Sequence, residues 1–224
     1  MTFSEQWDDA YRRKMHQSVW PWSNLVSRCL RYTNLKLGKP DFRVLELGCG
    51  AGANIPFMLE YKADYYGQDG SLATIEALTE RFPELADRLA AGDFTERLNF
   101  TGPFDLVVDR AALTHNDTAA IRRCLKMVHE VLADGGMFIG CDWFSTESAR
   151  YRDGEQDADE YTRTNITEGT FAGIGRVHFA DSEHIHDLFS DFELVALDHI
   201  VETTHIGAGE SMATWQIVAV KRGG

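Results

Sequence analysis

One stretch decides the fold of this 224-residue chain: Glu46-Leu47-Gly48-Cys49-Gly50-Ala51-Gly52. An apolar run over residues 42–47, typical of a buried strand, leads into it, and a helical pattern over residues 54–61 follows. Glycines between a strand and a helix allow a tight turn and a close approach of the backbone to a ligand, because no Cβ intrudes. No Lys-Ser or Lys-Thr pair follows these glycines, so the stretch does not predict a triphosphate-binding loop.

The second feature is an acidic residue, Asp69, at the end of the next predicted strand, residues 64–69. It lies about 20 residues past the glycines, the spacing at which a carboxylate binds ribose hydroxyls in dinucleotide-binding sheets. A nicotinamide-dependent enzyme shows the same two features, and an Asp at a strand end is often only a turn former. Taken together and in this order, the two features favour an adenosine-type cofactor.

Outward from these motifs, short apolar runs alternate with longer amphipathic stretches. Strands are predicted at residues 42–47, 64–69, 88–91, 104–109, 137–142, 192–202 and 212–221, and helices at 54–61, 71–82, 117–132 and 182–189. Alternating strands and helices predict βαβ units, and hence a parallel sheet with helices on both faces. The glycines at 207 and 209 separate the last two strands, which predicts an antiparallel hairpin.

Two regions depart from this alternation. Residues 1–40 have a helical pattern with aromatic positions such as Trp20 and Trp22, and we predict a helical cap there. Residues 146–180 are polar and contain glycines without a clear period, which predicts a loop-rich, lid-like insertion. The predicted main domain therefore covers residues 41–224.

The composition is that of an ordinary globular protein with an acidic surface, at 44% apolar, 25% charged and a net charge of −13. Such a charge repels the phosphate backbone of a nucleic acid, so a small molecule is the expected partner. No apolar run approaches the roughly 20 residues that a membrane span requires. The first residues do not resemble a signal peptide, and we expect a cytoplasmic protein without a membrane partner.

The cysteines and histidines do not predict a metal site. Two histidines of the last predicted helix, His184 and His186, are two residues apart and point in different directions. The cysteines form no Cys-x-x-Cys pair, so we expect free thiols in a reducing compartment. These scattered cysteines are Cys29, Cys49, Cys124 and Cys141.

The glycine stretch resembles the first motif of the class I S-adenosylmethionine-dependent methyltransferases: an acidic residue, an apolar residue, then Gly-x-Gly-x-Gly. The chain is similar to the small members often called methyltransferase type 11 or 12. Further matches occur in order at residues 67–71, 92–94, 104–110 and 132–136, where the family's usual Leu-Lys-Pro-Gly-Gly is replaced by Leu-Ala-Asp-Gly-Gly. The resemblance covers about residues 42–144 and the final hairpin. It implies a Rossmann-like three-layer α/β sandwich with a seven-stranded, mostly parallel sheet and an antiparallel final strand.

The same resemblance implies S-adenosyl-L-methionine as the cofactor and assigns roles to individual residues. Glu46 lies near the cofactor's amino group, Asp69 accepts hydrogen bonds from both ribose hydroxyls, and Asp93 accepts one from the adenine amino group. The backbone amide of Phe94 contacts the adenine ring, and Tyr11 in the N-terminal helix reaches the methionine carboxylate. The implied cofactor-binding residues are Tyr11, Glu46, Gly48, Cys49, Gly50, Gly52, Asn54, Asp69, Gly70, Ser71, Gly92, Asp93, Phe94, Asp109 and Arg110.

Methyl transfer from a sulfonium mainly requires that the acceptor be aligned with the methyl group and that water be excluded. A general base adds about 10²–10⁴-fold when the acceptor must lose a proton. His115, just beyond the fourth strand, is the first candidate for that base, and capping of the next helix is its alternative role. Asp142, at the end of the following strand, is the second catalytic candidate, with strand termination as its alternative.

Four further residues are predicted to contact the acceptor. Trp20 precedes the core and is placed over the mouth of the site, while Trp143 follows Asp142 and is predicted as an apolar wall. Tyr161 and His178 belong to the insertion, and loops on a rigid scaffold often carry specificity. Ordinary packing is the alternative for all four.

The favoured function is methylation of an oxygen or nitrogen atom of a small or mid-sized metabolite. A nicotinamide-dependent oxidoreductase is the first alternative, and it needs a hydride-transfer apparatus such as Tyr-x-x-x-Lys. Residues 61–65 and 161–165 do not supply one, and the one match, residues 32–36, precedes the first predicted strand. A catalytically idle protein that only binds the cofactor is the second alternative.

Overall fold

The computed structural model describes residues 18–38, 41–207 and 210–223. Within these ranges the strands are β1 Arg43–Leu47, β2 Asp64–Asp69, β3 Leu89–Ala91, β4 Phe104–Arg110, β5 Leu132–Phe144, β6 Glu155–Gln156, β7 Thr162–Thr164, β8 Val177–His178, β9 Glu193–Glu202 and β10 Met212–Val220. The α-helices are α1 Ser23–Tyr32, α2 Ile55–Glu60, α3 Leu72–Arg81, α4 Thr118–Val131 and α5 Ser182–Leu188. Short 3₁₀ helices lie at Leu35–Leu37, Pro83–Leu85, Leu113–His115, Ala149–Arg152 and Gly169–Phe171.

The main sheet has seven strands in the order β3-β2-β1-β4-β5-β10-β9. Strands β1 to β5 pair in parallel, whereas β10 is antiparallel to both of its neighbours. The predicted α/β fold, a mostly parallel seven-stranded sheet with an antiparallel final strand, is therefore confirmed. The predicted final hairpin is also confirmed, because β9 and β10 pair along their whole lengths.

Two apolar cores cover the two faces of this sheet, as the near-continuous apolar strands predict. In β4, Val107 packs with α4 and α5 on one face, while Leu106 and Val108 pack with α1, α2 and α3 on the other. Successive side chains of a strand point to opposite faces, so an apolar run buries itself on both sides. This three-layer arrangement holds the strand ends in fixed positions.

The helices after β2 and β4 begin where the sequence predicts them. The Oγ atom of Ser71 accepts a hydrogen bond from the backbone amide of Thr74 at 3.2 Å, which caps α3. The carboxylate of Asp117 accepts one from the amide of Ala120 at 2.8 Å and caps α4. Each cap satisfies a backbone donor that has no partner within its helix.

The strand β5 differs from its prediction at both ends. It begins at Leu132, directly after α4, because Leu132 pairs with Phe104 of β4; the turn at Gly135, with φ of +72°, lies within it. It ends at Phe144, two residues past the predicted end, because Phe144 and Trp143 pair with β10. These pairings join distant segments, so the local pattern does not show them.

The insertion at residues 146–180 contains more regular structure than the sequence predicts. Strands β6, β7 and β8 form a separate three-stranded antiparallel sheet. The insertion also has a small apolar core made of Ile166, Phe171, Val177 and Phe179. Strands of two or three residues are too short to produce a hydrophobic period, which explains why they were not predicted.

The predicted helical cap at residues 1–40 contains α1, whose Leu25 and Cys29 are buried against the sheet. Residues 1–17 and 39–40 of that cap, including Tyr11, lie outside the described residues. All four cysteines are free and buried. In the part of the chain that the structure describes, every helix is too short or too polar to cross a membrane.

Candidate active site

A cavity of about 980 Å³ opens at the carboxyl ends of β1, β2, β4 and β5. It lies where the strand order reverses, between β1 and β4, which is the place where ligands bind in open α/β sheets. Its volume is near the upper end of the roughly 300–1,000 Å³ range of ligand pockets. The half next to the glycine loop is polar, and the half next to the insertion is apolar.

The glycine loop forms one wall of the polar half through Gly48 and Gly50. All three glycines of the motif have positive φ, at +63°, +51° and +75°, a conformation that L side chains rarely adopt. A Cβ on Gly48 would lie 2.2 Å from the Cβ of Ala112, so the loop must pack tightly against the segment after β4. Gly52 does not line the cavity and packs against Leu78 of α3, and its predicted cofactor contact stays a prediction.

Asp69 lies in the wall beside this loop and is buried. Its Oδ2 atom accepts a hydrogen bond from the amide of Gly50 at 2.9 Å, and its Oδ1 atom accepts one from the amide of Ser71 at 2.9 Å. These two amides fix the orientation of the carboxylate at the cavity wall. Gly70 also lines the cavity, whereas Ser71 is fully buried and its hydroxyl caps α3.

Asp93 and Phe94 line the same half of the cavity after β3. The Oδ1 atom of Asp93 accepts hydrogen bonds from the amide and the hydroxyl of Thr95, at 2.9 and 2.6 Å. Gly92 lies outside the lining, and a Cβ there would be 2.9 Å from the side-chain nitrogen of Asn99. Its predicted cofactor contact also stays a prediction.

Glu46 is a buried carboxylate in the floor of the polar half. Burial raises its pKa from 4.5 to about 7, although hydrogen bonds from the Tyr65 hydroxyl and the Asn54 amide, both at 2.7 Å, act in the opposite direction. A cation beside this group favours its ionised form. Glu46 therefore suits a ligand that brings a positive charge, and Asn54 and Cys49 also line the cavity near it.

Arg110 projects into the cavity and is held on two sides. Its guanidinium carbon lies 3.5 Å from the centroid of the Trp22 ring, and its Nε atom donates to Oδ2 of Asp142 at 3.0 Å. The other oxygen of Asp142 accepts from Asn24 at 2.6 Å and from Gln216 at 2.8 Å. Among the described residues, no hydrogen-bond partner lies on either terminal nitrogen of Arg110.

Asp142 is thus engaged by three donors and has a positive φ of +58°. A carboxylate held in this way is suited to positioning the Arg110 guanidinium, since its oxygens already accept strong hydrogen bonds. Asp142 also lines the cavity, and its predicted contact with the acceptor stays a prediction.

The comparisons agree with this geometry. Residues 44–136 match the family model described as a methyltransferase domain. A solved S-adenosylmethionine-dependent methyltransferase from Methanosarcina mazei is 21% identical, with a TM-score of 0.65, over 82% of this chain and 94% of that one. A second from Clostridium acetobutylicum is 17% identical, with a TM-score of 0.60, over 98% and 92% of the two chains.

A third similar structure is the geranyl diphosphate C-methyltransferase of Streptomyces coelicolor, in complex with S-adenosyl-L-homocysteine. It is 11% identical, with a TM-score of 0.62, over 89% of this chain and 80% of that one. No curated protein matches the chain significantly in sequence.

By this match residues 44–136 form a methyltransferase domain, and the described chain has the fold of the S-adenosylmethionine-dependent methyltransferases. The cofactor of this methyltransferase is S-adenosylmethionine, and the residues present fit it. The polar half of the cavity presents carboxylates from three successive strand ends, Glu46, Asp69 and Asp93, next to a tight glycine loop.

Asp109 of the methyltransferase lies beneath the cavity instead of in its wall. It is fully buried, and its oxygens accept hydrogen bonds from the amides of Ala112 and Leu113, at 3.2 and 3.0 Å, and from the indole of Trp143 at 2.6 Å. Burial raises the pKa of Asp109 from 3.8 to about 7. Both side chains belong to the core that supports the loop after β4, and the predicted ligand contacts of Asp109 and Trp143 stay predictions.

His115 lines the cavity at the end of the 3₁₀ helix Leu113–His115. Its Nδ1 atom is 3.1 Å from the backbone oxygen of Arg176. A carbonyl oxygen only accepts hydrogen bonds, so this contact favours the tautomer with the proton on Nδ1. In that neutral tautomer Nε2 is the basic nitrogen of the ring.

The other predicted acceptor contacts lie away from the cavity. The Trp20 side chain is 76% exposed and does not line it. Tyr161 stacks on His184 with ring centroids 3.7 Å apart, and His178 is fully buried beside Thr162. These two side chains consolidate the base of the insertion, and their predicted acceptor contacts stay predictions. Burial also lowers the pKa of His178 to about 3.

The apolar half of the methyltransferase cavity is built from residues that the sequence does not single out. Its wall combines the end of β5, the insertion and the two strands of the final hairpin. The apolar side chains are Phe144, Phe171, Ile174, Ile200 and Met212. Trp22, which also lines the cavity, belongs to the N-terminal segment whose aromatic residues the sequence singles out.

Proposed function

We propose that this methyltransferase transfers the methyl group of S-adenosylmethionine to an oxygen or nitrogen atom of a small or mid-sized metabolite. The observation that supports this proposal is a single cavity with a polar half beside the glycine loop and an apolar half beside His115. When bound, S-adenosylmethionine supplies a methyl group on a sulfonium with a good leaving group. The chain itself has to hold donor and acceptor in line and exclude water.

In this proposal, the carboxylates of the polar half bind the nucleoside. Asp69, oriented by the amides of Gly50 and Ser71, accepts hydrogen bonds from the ribose hydroxyls. Asp93, fixed by Thr95, accepts one from the adenine amino group. Carboxylate acceptors form hydrogen bonds about twice as strong as neutral ones, which makes these positions important for affinity.

At the amino-acid end, Glu46 binds the ammonium group and Arg110 the carboxylate. A chain of contacts connects the two residues: Asn54 donates to Glu46, the amide of Trp22 donates to Asn54 at 3.3 Å, and Arg110 stacks on Trp22. Opposite charges therefore flank one end of the cavity, and this matches a zwitterionic ligand. His115 is the general base for an acceptor that must lose a proton.

Replacing Arg110 with alanine tests the assignment of the amino-acid end. We expect the affinity for S-adenosylhomocysteine to fall about 10–100-fold, because one charged hydrogen-bonding group is worth about 1.5–3 kcal/mol. The affinity for 5′-methylthioadenosine, which has no carboxylate, should remain within about threefold of the wild-type value. Isothermal titration calorimetry measures both. Arg123→Ala, on the exposed face of α4, is the matched control, and an equal loss for both ligands contradicts the assignment.

A thermal-shift measurement tests the proposed function itself. S-adenosylhomocysteine at 100 times its dissociation constant should stabilise the protein by about 2.7 kcal/mol, or about 5–10 °C in Tm for a chain of this size. NAD should leave the Tm unchanged. The opposite result favours an oxidoreductase. Transfer of a labelled methyl group to a component of a metabolite extract then separates an enzyme from a protein that only binds the cofactor.

A further inference from the structure

We infer that the methyl acceptor carries a flat apolar group and is neutral or cationic, and that the insertion at residues 146–180 selects it. This inference rests on the proposed function, since it concerns the acceptor half of the same cavity. Three observations support it: the packing of the apolar wall, the charges that line the cavity, and the position of His115 next to the wall.

The apolar wall is built on packed aromatic rings. The rings of Phe144 and Phe171 meet edge to face, with centroids 4.7 Å apart, and Phe171 meets Phe179 in the same way at 5.3 Å. Phe171 and Phe179 are buried in the small core of the insertion, so the wall is held from behind. Aromatic pairs of this geometry are favourable beyond the area they bury, which keeps the surface in one shape.

Several side chains of the apolar wall expose apolar surface to the cavity. Phe144, Ile174 and Met212 are only partly buried, and Ile200 at the edge is 39% exposed. Burying apolar area is worth about 25 cal/mol per Å². A flat apolar ring that packs against this wall gains binding free energy from the area of its face that it buries, whereas a strongly hydrated ligand gains little.

The charges that line the cavity disfavour an anionic acceptor. Arg110 is the one lysine or arginine in the lining among residues 18–38, 41–207 and 210–223, and Asp142 pairs with it. Glu202 lines the apolar half, is exposed, and has no ion-pair partner within those same ranges. The remaining lining carboxylates are Glu46, Asp69 and Asp93. Such a cleft attracts cations and repels anions.

His115, the proposed general base, lies next to the apolar wall. Its ring lies 5.9 Å from the Phe144 ring, in an edge-to-face arrangement. A hydroxyl or amine on a ring packed against Phe144 is therefore placed beside the basic nitrogen of His115. A cationic substituent elsewhere on the same ring is attracted to the carboxylate of Glu202.

Three matched probes test the inference on protein saturated with S-adenosylhomocysteine: benzyl alcohol (neutral), benzylamine (cationic) and benzoate (anionic). Saturation-transfer NMR measures their binding. We expect benzyl alcohol and benzylamine to bind, and benzoate to bind at least about tenfold more weakly, a difference that corresponds to one modest charge–charge interaction. Glu202→Gln should weaken benzylamine while leaving benzyl alcohol unchanged.

Substitutions in the wall complete the experiment. Ile174→Ala should reduce the affinity for benzyl alcohol about tenfold, since it removes partly exposed apolar surface from the wall. Leu72→Ala, at an exposed leucine of α3 outside the lining, is the matched control. The thermal shift with S-adenosylhomocysteine must persist in both variants, which shows that they fold and bind the donor.

The outcomes distinguish a failure of the proposed function from a failure of the inference about the acceptor. If S-adenosylhomocysteine does not bind, the proposed function fails. If it binds but benzoate competes equally with benzyl alcohol, the inference about charge is overturned. If benzyl alcohol does not bind, or binds the Ile174→Ala variant as well as the wild type, the inference about the apolar wall is overturned.

Discussion

Replacing Asp69 with alanine is expected to weaken S-adenosylhomocysteine binding by about 10²–10⁴-fold. The carboxylate is proposed to accept hydrogen bonds from two ribose hydroxyls, and each hydrogen bond to a charged group contributes about 1.5–3 kcal/mol. No second carboxylate follows Asp69 at the end of β2 to bind the ribose in its place, because the next residues are Gly70 and Ser71. Isothermal titration calorimetry measures the change in dissociation constant.

The Asp69 variant needs a control for folding, because the same carboxylate accepts hydrogen bonds from the amides of Gly50 and Ser71. Asp69→Asn keeps an acceptor oxygen at that position without the charge, and it should still bind more weakly than the wild type. Asp134→Ala removes an exposed carboxylate at a turn and should have no effect. A folded Asp69→Ala protein with an unchanged dissociation constant refutes the ribose assignment.

Replacing His115 with alanine is expected to lower the rate of methyl transfer by about 10²–10⁴-fold, which is the contribution of a general base. Affinity for S-adenosylhomocysteine should stay within about twofold, because Asp69, Asp93 and Glu46 remain in place. The contact between Nδ1 and the Arg176 oxygen favours the tautomer in which Nε2 is basic. Single-turnover transfer of a labelled methyl group measures the rate.

Two further variants make the His115 result specific. His115→Gln keeps a polar side chain but has no basic nitrogen, so it should be as slow as His115→Ala. His186→Ala, at an exposed position of α5, should transfer at the wild-type rate. Full activity of both His115 variants excludes this residue from proton transfer and returns it to a role at the start of α4.

The parts of the fold with strong local signals were predictable. Strand β2, Asp64–Asp69, coincides with its predicted bounds, and α3 begins after Ser71 as its cap predicts. The polar half of the cavity follows from the same signals, because parallel strands bring their carboxyl ends to one edge of the sheet. Asp69 and Asp93 lie in the cavity wall for this reason, and their contacts with the cofactor stay predictions.

Other parts of the site were not predictable, because long-range contacts build them. Asn24 lies 118 residues from Asp142 and 192 from Gln216, yet the three side chains share hydrogen bonds. The sequence predicts ligand contacts for Asp109 and Trp143 at strand ends, and in the structure each satisfies the other's buried polar group. A sequence shows which residues end a strand, and the tertiary packing decides which of them turn inward.

The division of the cavity has a consequence for how this protein can diversify. In the proposed function, donor recognition depends on short loops fixed to the central strands, whereas the acceptor wall comes from the segment between β5 and α5 and from the final hairpin. That segment has its own apolar core, so its inner surface can be remodelled without disturbing the glycine loop. A change of substrate preference therefore requires grafting or mutating a peripheral module, while the machinery that presents the methyl group is inherited intact.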